Sequence, residues 1–227
     1  MIFNHVDLNL SSLERETIDG VRYYKIPESG EVIKLVSITS IISFITRDFF
    51  IEWRKRVGVE EANKITKAAT SRGTDMHTLA ECYLCNRELP PVQPLSQYLF
   101  KQAKPDLDKI GNIHAIEQPL FSKQLGVAGT VDCIGEYNGE LSIIDFKTSK
   151  KPKPRDWIDN YFVQCAAYAC MLYEMTGIVI KKFVIIMSCE NGEVEVYEEY
   201  DKKKYIKILS KYIRAFVESK LQEYAKN

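Results

Sequence analysis

The sequence contains no apolar run of the length needed to span a bilayer as a helix, which excludes a helical membrane anchor within it and leaves no membrane partner to expect. It opens on MIFNHVDLNLSSLERETIDG, which has neither a basic start nor an apolar segment, so no secretory or transit signal is expected and the expected setting is the reducing cytoplasm. Net charge is also missing. Lys plus Arg number 31 and Asp plus Glu number 31, so nothing in the total favours indiscriminate binding to polyanions. Six cysteines are present, but only Cys82 and Cys85 form a CxxC, and without a second pair a zinc or iron–sulfur site lacks ligands. Cys133, Cys165, Cys170 and Cys189 read as small core residues, and no disulfide is needed. No repeat, linker or low-complexity tract divides the 227 residues, which indicates one domain with a substantial core.

What is present is charge in blocks. Residues 147–155 carry Lys147, Lys150, Lys151, Lys153 and Arg155 with no acid, and residues 188–201 carry six acids with no base. The acidic block reads as a solvated face; the basic one is a candidate for local phosphate contact.

Hydrophobic periodicity places a hairpin in VRYYKIPESGEVIKLVSITS, turning at Pro27 to Gly30, and a helix through Phe49, Trp53 and Val57. A second helix spans about Val59 to Arg87, with Gly73 predicting a break near SRGTDMH. A third covers about Leu95 to Ile110, limited by Pro105. Strand patterns follow at 113–122, 126–137 and 140–148, then a helix from Trp157 to Met175, two strands turning at Asn191-Gly192, and a helix from Asp201 to Glu223. The expected fold class is therefore α/β, a single domain with a central mixed β-sheet flanked by helices.

One segment carries chemistry. In GTVDCIGEYNGELSIIDFKTSKKPKPRD, residues 129–156, Asn138-Gly139 predicts a two-residue hairpin turn that pairs Tyr137 with Glu140. Counting back sets Asp132 opposite Asp145 in a non-hydrogen-bonded pair, with Cβ atoms roughly 4.5–5.5 Å apart. Lys147 shares the face of Asp145. Facing carboxylates inside a sheet are unfavourable unless something positive lies between them, and one lysine neutralises only one of them. A hard divalent cation, Mg²⁺ or Mn²⁺, takes oxygen from both, and the lysine is then available to orient a water or neutralise charge on a phosphate. The competing reading is a buried Asp–Lys–Asp network without chemistry.

Further residues stand in a telling order: His77 in RGTDMH, Glu117 in IEQPL, Asp132 in GTVD, Asp145 and Lys147 in DFK, and Gln164 with Tyr168 in QCAAY. Together they resemble the PD-(D/E)XK nuclease superfamily in its RecB-type QxxxY branch, from about Ser37 onward. The DFKTSKKPKP segment is similar to that of the mitochondrial genome maintenance exonuclease group and its bacterial and phage relatives. The resemblance implies a restriction-endonuclease-like core with an N-terminal hairpin extension (about 1–36), helices arching over the site (about 43–110), a catalytic sheet (about 111–200) and a C-terminal helix (about 201–227). It implies metal binding by Asp132, Asp145 and the Phe146 carbonyl, with His77 and Glu117 as further ligands or lining, Lys147 as the catalytic lysine, and Gln164 and Tyr168 as positioning groups. The cysteine trio of the iron–sulfur members is missing after Cys189, so no such cluster is expected. A bacterial cytoplasm, or that of a host if a phage encodes the chain, follows from the same likeness. His5 and His114 match no motif.

For the nucleic acid, the expected contacts are Lys150, Lys151, Lys153 and Arg155 in the proline-stiffened loop, Thr148 and Ser149 as neutral donors, and Arg54, Arg72 and Thr130. Phe49, Phe50 and Trp53 interleave with basic residues, as a stacking surface or as the core stripe of their helix. The function expected is a metal-dependent exonuclease on single-stranded DNA, acting as a monomer. A lambda-exonuclease-like ring on duplex ends and a non-catalytic nucleic-acid binding module are the alternatives.

Overall fold

The computed structural model describes residues 2–225. Eight strands form one mixed sheet: β1 (Glu14–Ile18), β2 (Val21–Glu28), β3 (Glu31–Ser37), β4 (Ile110–Ser122), β5 (Val127–Tyr137), β6 (Glu140–Ser149), β7 (Lys182–Cys189) and β8 (Val194–Glu199). Five helices cover it: α1 (Ile38–Val57), α2 (Val59–Leu84), α3 (Pro94–Leu107), α4 (Asp159–Thr176) and α5 (Lys202–Tyr224). This is the α/β arrangement expected from the alternation of patterns.

The central strand is β5. Along one edge it pairs antiparallel with β4. Its other edge is divided: β3 runs parallel to it at Val36↔Val127 and Ser37↔Ala128, and β6 pairs antiparallel from Cys133↔Ile144 to Tyr137↔Glu140. Between these two partners, residues 129–132 have no ladder on that edge. Beyond β6 lie β7, parallel, and β8, antiparallel.

Two cores follow from strand alternation. Ile143, Ile185, Phe162, Met171 and Leu209 pack with α1, α4 and α5 on one face. Ile144, Phe146, Met76, Leu79 and Phe100 pack with α2 and α3 on the other. All eight residues of β7 are buried, as befits a strand covered on both faces.

Between Ile41 and Arg72, α1 and α2 bury only Ala62. Two long amphipathic helices thus leave one helical layer, meet at Gly58, and return to the other. Ser37 caps the start of α1, its Oγ accepting from the Ser40 N–H at 3.1 Å.

Several expectations are corrected. Gly73 does not break α2, because its position is open, with no atom within 4 Å of a would-be Cβ, and the helix is held by the burial of Met76, Leu79 and Ala80. A solvent-facing glycine costs a helix only about 1 kcal/mol. Pro27 lies within β2 opposite Val32, and the turn is Ser29-Gly30, both with positive φ (45° and 92°). β1 was not anticipated; it forms through a second turn at Asp19-Gly20. The acidic block is not simply a solvated face: Glu190 pairs with Arg72, Glu198 with the buried Lys182 at 2.8 Å, and Glu199 with Arg155 at 2.5 Å.

Candidate active site

The turn at Asn138-Gly139 has positive φ at both residues (52° and 81°), and the register is the one the sequence predicts. The ladder stops, however, at Cys133↔Ile144, one step before the aspartates. The strands part there, and Asp132 Oδ2 accepts the Phe146 N–H at 2.9 Å in place of a main-chain partner. Asp132 is therefore both buried and fixed, with Oδ1 turned toward α2.

Across β5, Glu117 stands opposite Asp132, flanked by the pairs Ile116↔Cys133 and Gln118↔Val131. Its φ of 45° takes it out of strand conformation. A non-glycine residue in that region costs on the order of 1–3 kcal/mol, a strain typical of functional sites. His77 reaches down from α2, its ring edge-on to Phe146. Its Nδ1 lies 3.3 Å from Glu117 Oε1 and 3.5 Å from Asp132 Oδ1. Burial works against charge on His77, but Asp132 and the hydrogen bond to Glu117 outweigh it and raise the imidazole pKa to about 9.

Asp145 faces α4, on the side of Ile143. It is 1% exposed, Oδ1 has no hydrogen-bond partner, and Oδ2 meets Lys147 Nζ at 2.5 Å as an ion pair without hydrogen-bond alignment. Burial pushes the Asp145 carboxyl up against the pull of Lys147. For Lys147, burial opposes the charge, but Asp145 and Asp132 prevail and hold it as an ammonium. Its Nζ also lies over the Tyr161 ring, 5.1 Å from the centroid.

One nitrogen and two carboxylate oxygens, from His77, Glu117 and Asp132, lie within 4.8 Å of one another. This donor set fits a hard or borderline divalent cation, and Asp145 adds negative charge felt at His77. The sequence reading placed Asp132 and Asp145 as the central pair; the tighter group is His77, Glu117 and Asp132, while Asp145 is engaged with Lys147. Phe146 reaches the site through its N–H.

On α4, Gln164 Nε2 donates to the Tyr168 hydroxyl at 2.9 Å. The Tyr168 ring lies against Gly129, where a Cβ would stand 2.8 Å from Cε1 and 3.0 Å from Ile38 Cγ2, so glycine is needed before Thr130. Thr130 Oγ1 bonds the buried Tyr24 hydroxyl at 2.9 Å, fastening the N-terminal strands to the site. Tyr24 was not foreseen; an internal tyrosine in an alternating strand carries no mark of its distant partner.

The expected nucleic-acid contacts divide. Lys150 and Lys151 are exposed, and neither forms an ion pair among the described residues. A groove of about 600 Å³ beside α2 is lined by Lys64, Arg72, Thr148, Lys150 and Lys153. Arg72 is itself buried, donating to Thr148 Oγ1 at 3.1 Å and paired with Glu190. Arg155 is taken up by Asp159, Glu199 and Tyr205, Arg54 by Asn63, and Ser149 is buried. Cys82 and Cys85 are free thiols near the end of α2.

A divided mixed sheet with a histidine, carboxylates and a lysine gathered where its strands part is the arrangement that the PD-(D/E)XK resemblance implies. No family model matches the chain. It is similar to mitochondrial genome maintenance exonuclease 1 of Mus musculus, 31% identical over 132 residues that cover 54% of this chain and 38% of that one. The same protein of Xenopus tropicalis is 34% identical over 132 residues, covering 53% and 37%. That of Homo sapiens is 28% identical over 139 residues, covering 57% and 40%. The matched stretch thus spans about two fifths of each relative. A provisionally named exonuclease from Eubacterium rectale is structurally similar at 11% identity, with 66% of each chain covered and a TM-score of 0.47. The likeness to mitochondrial genome maintenance exonuclease 1 thus covers just over half of this chain, and the QxxxY likeness rests on Gln164 and Tyr168 alone. No described helix is long and apolar enough to cross a membrane.

Proposed function

We propose that this chain is a metal-dependent DNA exonuclease that hydrolyses phosphodiester bonds, prefers single-stranded DNA with a free end, and acts as a monomer in replication, repair or recombination. The observation that carries the reading is the junction of His77, Glu117 and Asp132 with the Asp145–Lys147 pair at the opening of the β5 edge. His77, Glu117 and Asp132 would hold Mg²⁺ or Mn²⁺, with Asp145 adjoining. When bound, such an ion polarises a phosphoryl oxygen and lowers the pKa of water.

The chain's own groups do the rest. The Phe146 N–H fixes Asp132 in one rotamer. Asp145 holds the Lys147 ammonium, which neutralises charge developing on a non-bridging phosphate oxygen. The raised pKa of Lys147 favours this role over that of a base. Water adds to phosphorus, the P–O bond to the leaving nucleotide breaks, and the departing oxygen takes up a proton. Above the site, α1 and α2 form an arch that an unpaired end enters lengthwise.

The test is end-labelled single-stranded DNA in linear and circular form, with Mg²⁺ or Mn²⁺, beside Lys147→Ala. Linear strands should be degraded, circles spared, and the variant inert. Degradation of circles would remove the free-end requirement, and faster attack on blunt duplex would replace the strand preference. Undiminished cleavage by Lys147→Ala would sink the catalytic assignment.

A further inference from the structure

We propose that the groove between α1 and the start of α4 is a base-stacking subsite for unpaired nucleobases, with Trp157 as its principal platform. This deepens the nuclease reading and rests on it in one respect, that a strand passes Lys147. The groove has a volume of about 560 Å³. One wall is a single face of α1, since Ile42, Thr46, Phe49 and Phe50 recur at helical spacing. The other is Trp157, in the short 3-10 turn Arg155–Trp157, with Asn160 and Tyr161 following on α4.

Three aromatic side chains here are left to solvent: Phe49 is 68% exposed, Phe50 53% and Trp157 74%. Trp53, which the sequence grouped with the two phenylalanines, is only half-buried and does not line the groove. Trp157 takes the place that spacing alone gave to Trp53.

Charge and continuity identify the occupant. Lys153 stands in the wall and donates to the Tyr161 hydroxyl at 2.6 Å. The same Tyr161 ring has Lys153 Nζ at 5.2 Å and Lys147 Nζ at 5.1 Å from its centroid, so a single aromatic residue separates the groove from the candidate catalytic lysine. Gln164, which donates to Tyr168, also lines the groove. Lys153 also lines the basic groove on the α2 side, so one lysine borders both. A ligand suited to this sequence of surfaces carries flat π-faces at one end and phosphates along its length, which describes an unpaired strand. The cationic wall argues against a purely apolar peptide. Asn160 Oδ1 accepts from the Tyr212 hydroxyl at 2.9 Å, which fixes the side chain and leaves its amide N–H groups as donors to a base edge, as expected of a site that grips without reading sequence.

The probes are an oligothymidylate and an abasic sugar–phosphate oligomer of equal length, both bound to the metal-free chain carrying Trp53→Phe, so that Trp157 is the only indole. Oligothymidylate should quench the Trp157 emission and the abasic oligomer should not. Trp157→Ala should weaken oligothymidylate binding roughly tenfold, within the range of one base–aromatic stack, and leave the abasic oligomer unchanged. Equal weakening of both probes, or no quenching, overturns the subsite alone. A concentration-dependent dimer abolished by Trp157→Ala would assign the groove to a second copy and likewise overturn it. If neither probe binds the unsubstituted chain, the subsite and the nuclease reading fall together, whereas loss of Lys147-dependent cleavage with stacking intact leaves the subsite standing.

Discussion

At the scale of single residues, the site is a set of charges that compensate one another unequally. Asp145 is almost wholly buried, whereas the Lys147 side chain is 20% exposed and able to turn outward. Lys147→Met should therefore destabilise the metal-free protein more than Asp145→Asn, by about 3 kcal/mol for the former, because it leaves a buried carboxylate without a counter-charge. Denaturant unfolding checks this, and saturating Mg²⁺ should recover most of the loss by supplying the missing positive charge. His77 makes the complementary case, faced by Glu117 from β4, Asp132 from β5, and Asp145 and Lys147 from β6. Its pKa of about 9 in the folded chain exceeds the unfolded value of roughly 6.5, so its stabilising contribution is complete below pH ~6.5 and lost as pH rises through about 9. Midpoints of metal-free unfolding should fall across that window, and His77→Gln should flatten the fall. An ion at His77 displaces the same proton, so its affinity should rise with pH until about 9.

At the scale of elements, Gly58 joins the two helices of the proposed arch. It ends α1 and begins α2 with φ 91° and ψ 145°, a conformation open essentially to glycine alone. Gly58→Ala should cost about 1–3 kcal/mol of arch stability, seen as faster amide exchange and proteolysis within residues 42–71 and little change in β6 and β7. Much of this layout is legible in the sequence. Asn138-Gly139 sets a register that the fold reproduces residue for residue up to Cys133. Gly73 misleads because propensity is a weak prior once a helix is anchored by neighbours such as Met76 and Leu79. The strain at Glu117 and the parting of strands beyond Cys133 are invisible for another reason. The parting depends on β3 and β6 sharing one edge of β5, with β3 about ninety residues before β5 along the chain, while the strain arises in β4 on the opposite edge, at a residue whose type does not mark it. Arg72 and Arg155 were likewise read by charge alone, and their partners Glu190 and Glu199 sit in a block whose acids gave no hint of a destination.

At the scale of the whole molecule, a balanced net charge means that the proposed capture of a nucleic acid would depend on a few local cations. Lys64, Lys150, Lys151 and Lys153 form no ion pair among the described residues. Four phosphate contacts to a single strand predict a log–log salt slope of about −3, measurable by titration at several ionic strengths; a slope near zero would mean these lysines do not carry the binding. The arch adds a constraint of another kind. Its two feet are planted in different hydrophobic layers, Ile38 and Ile41 in one and Met76 and Leu79 in the other. Lifting either foot would expose core, so a strand threaded as proposed would depart by sliding and not sideways. On that reading the number of nucleotides removed per visit would depend on how long the guest is, and a competitor added after the start should leave the first round of digestion to run on.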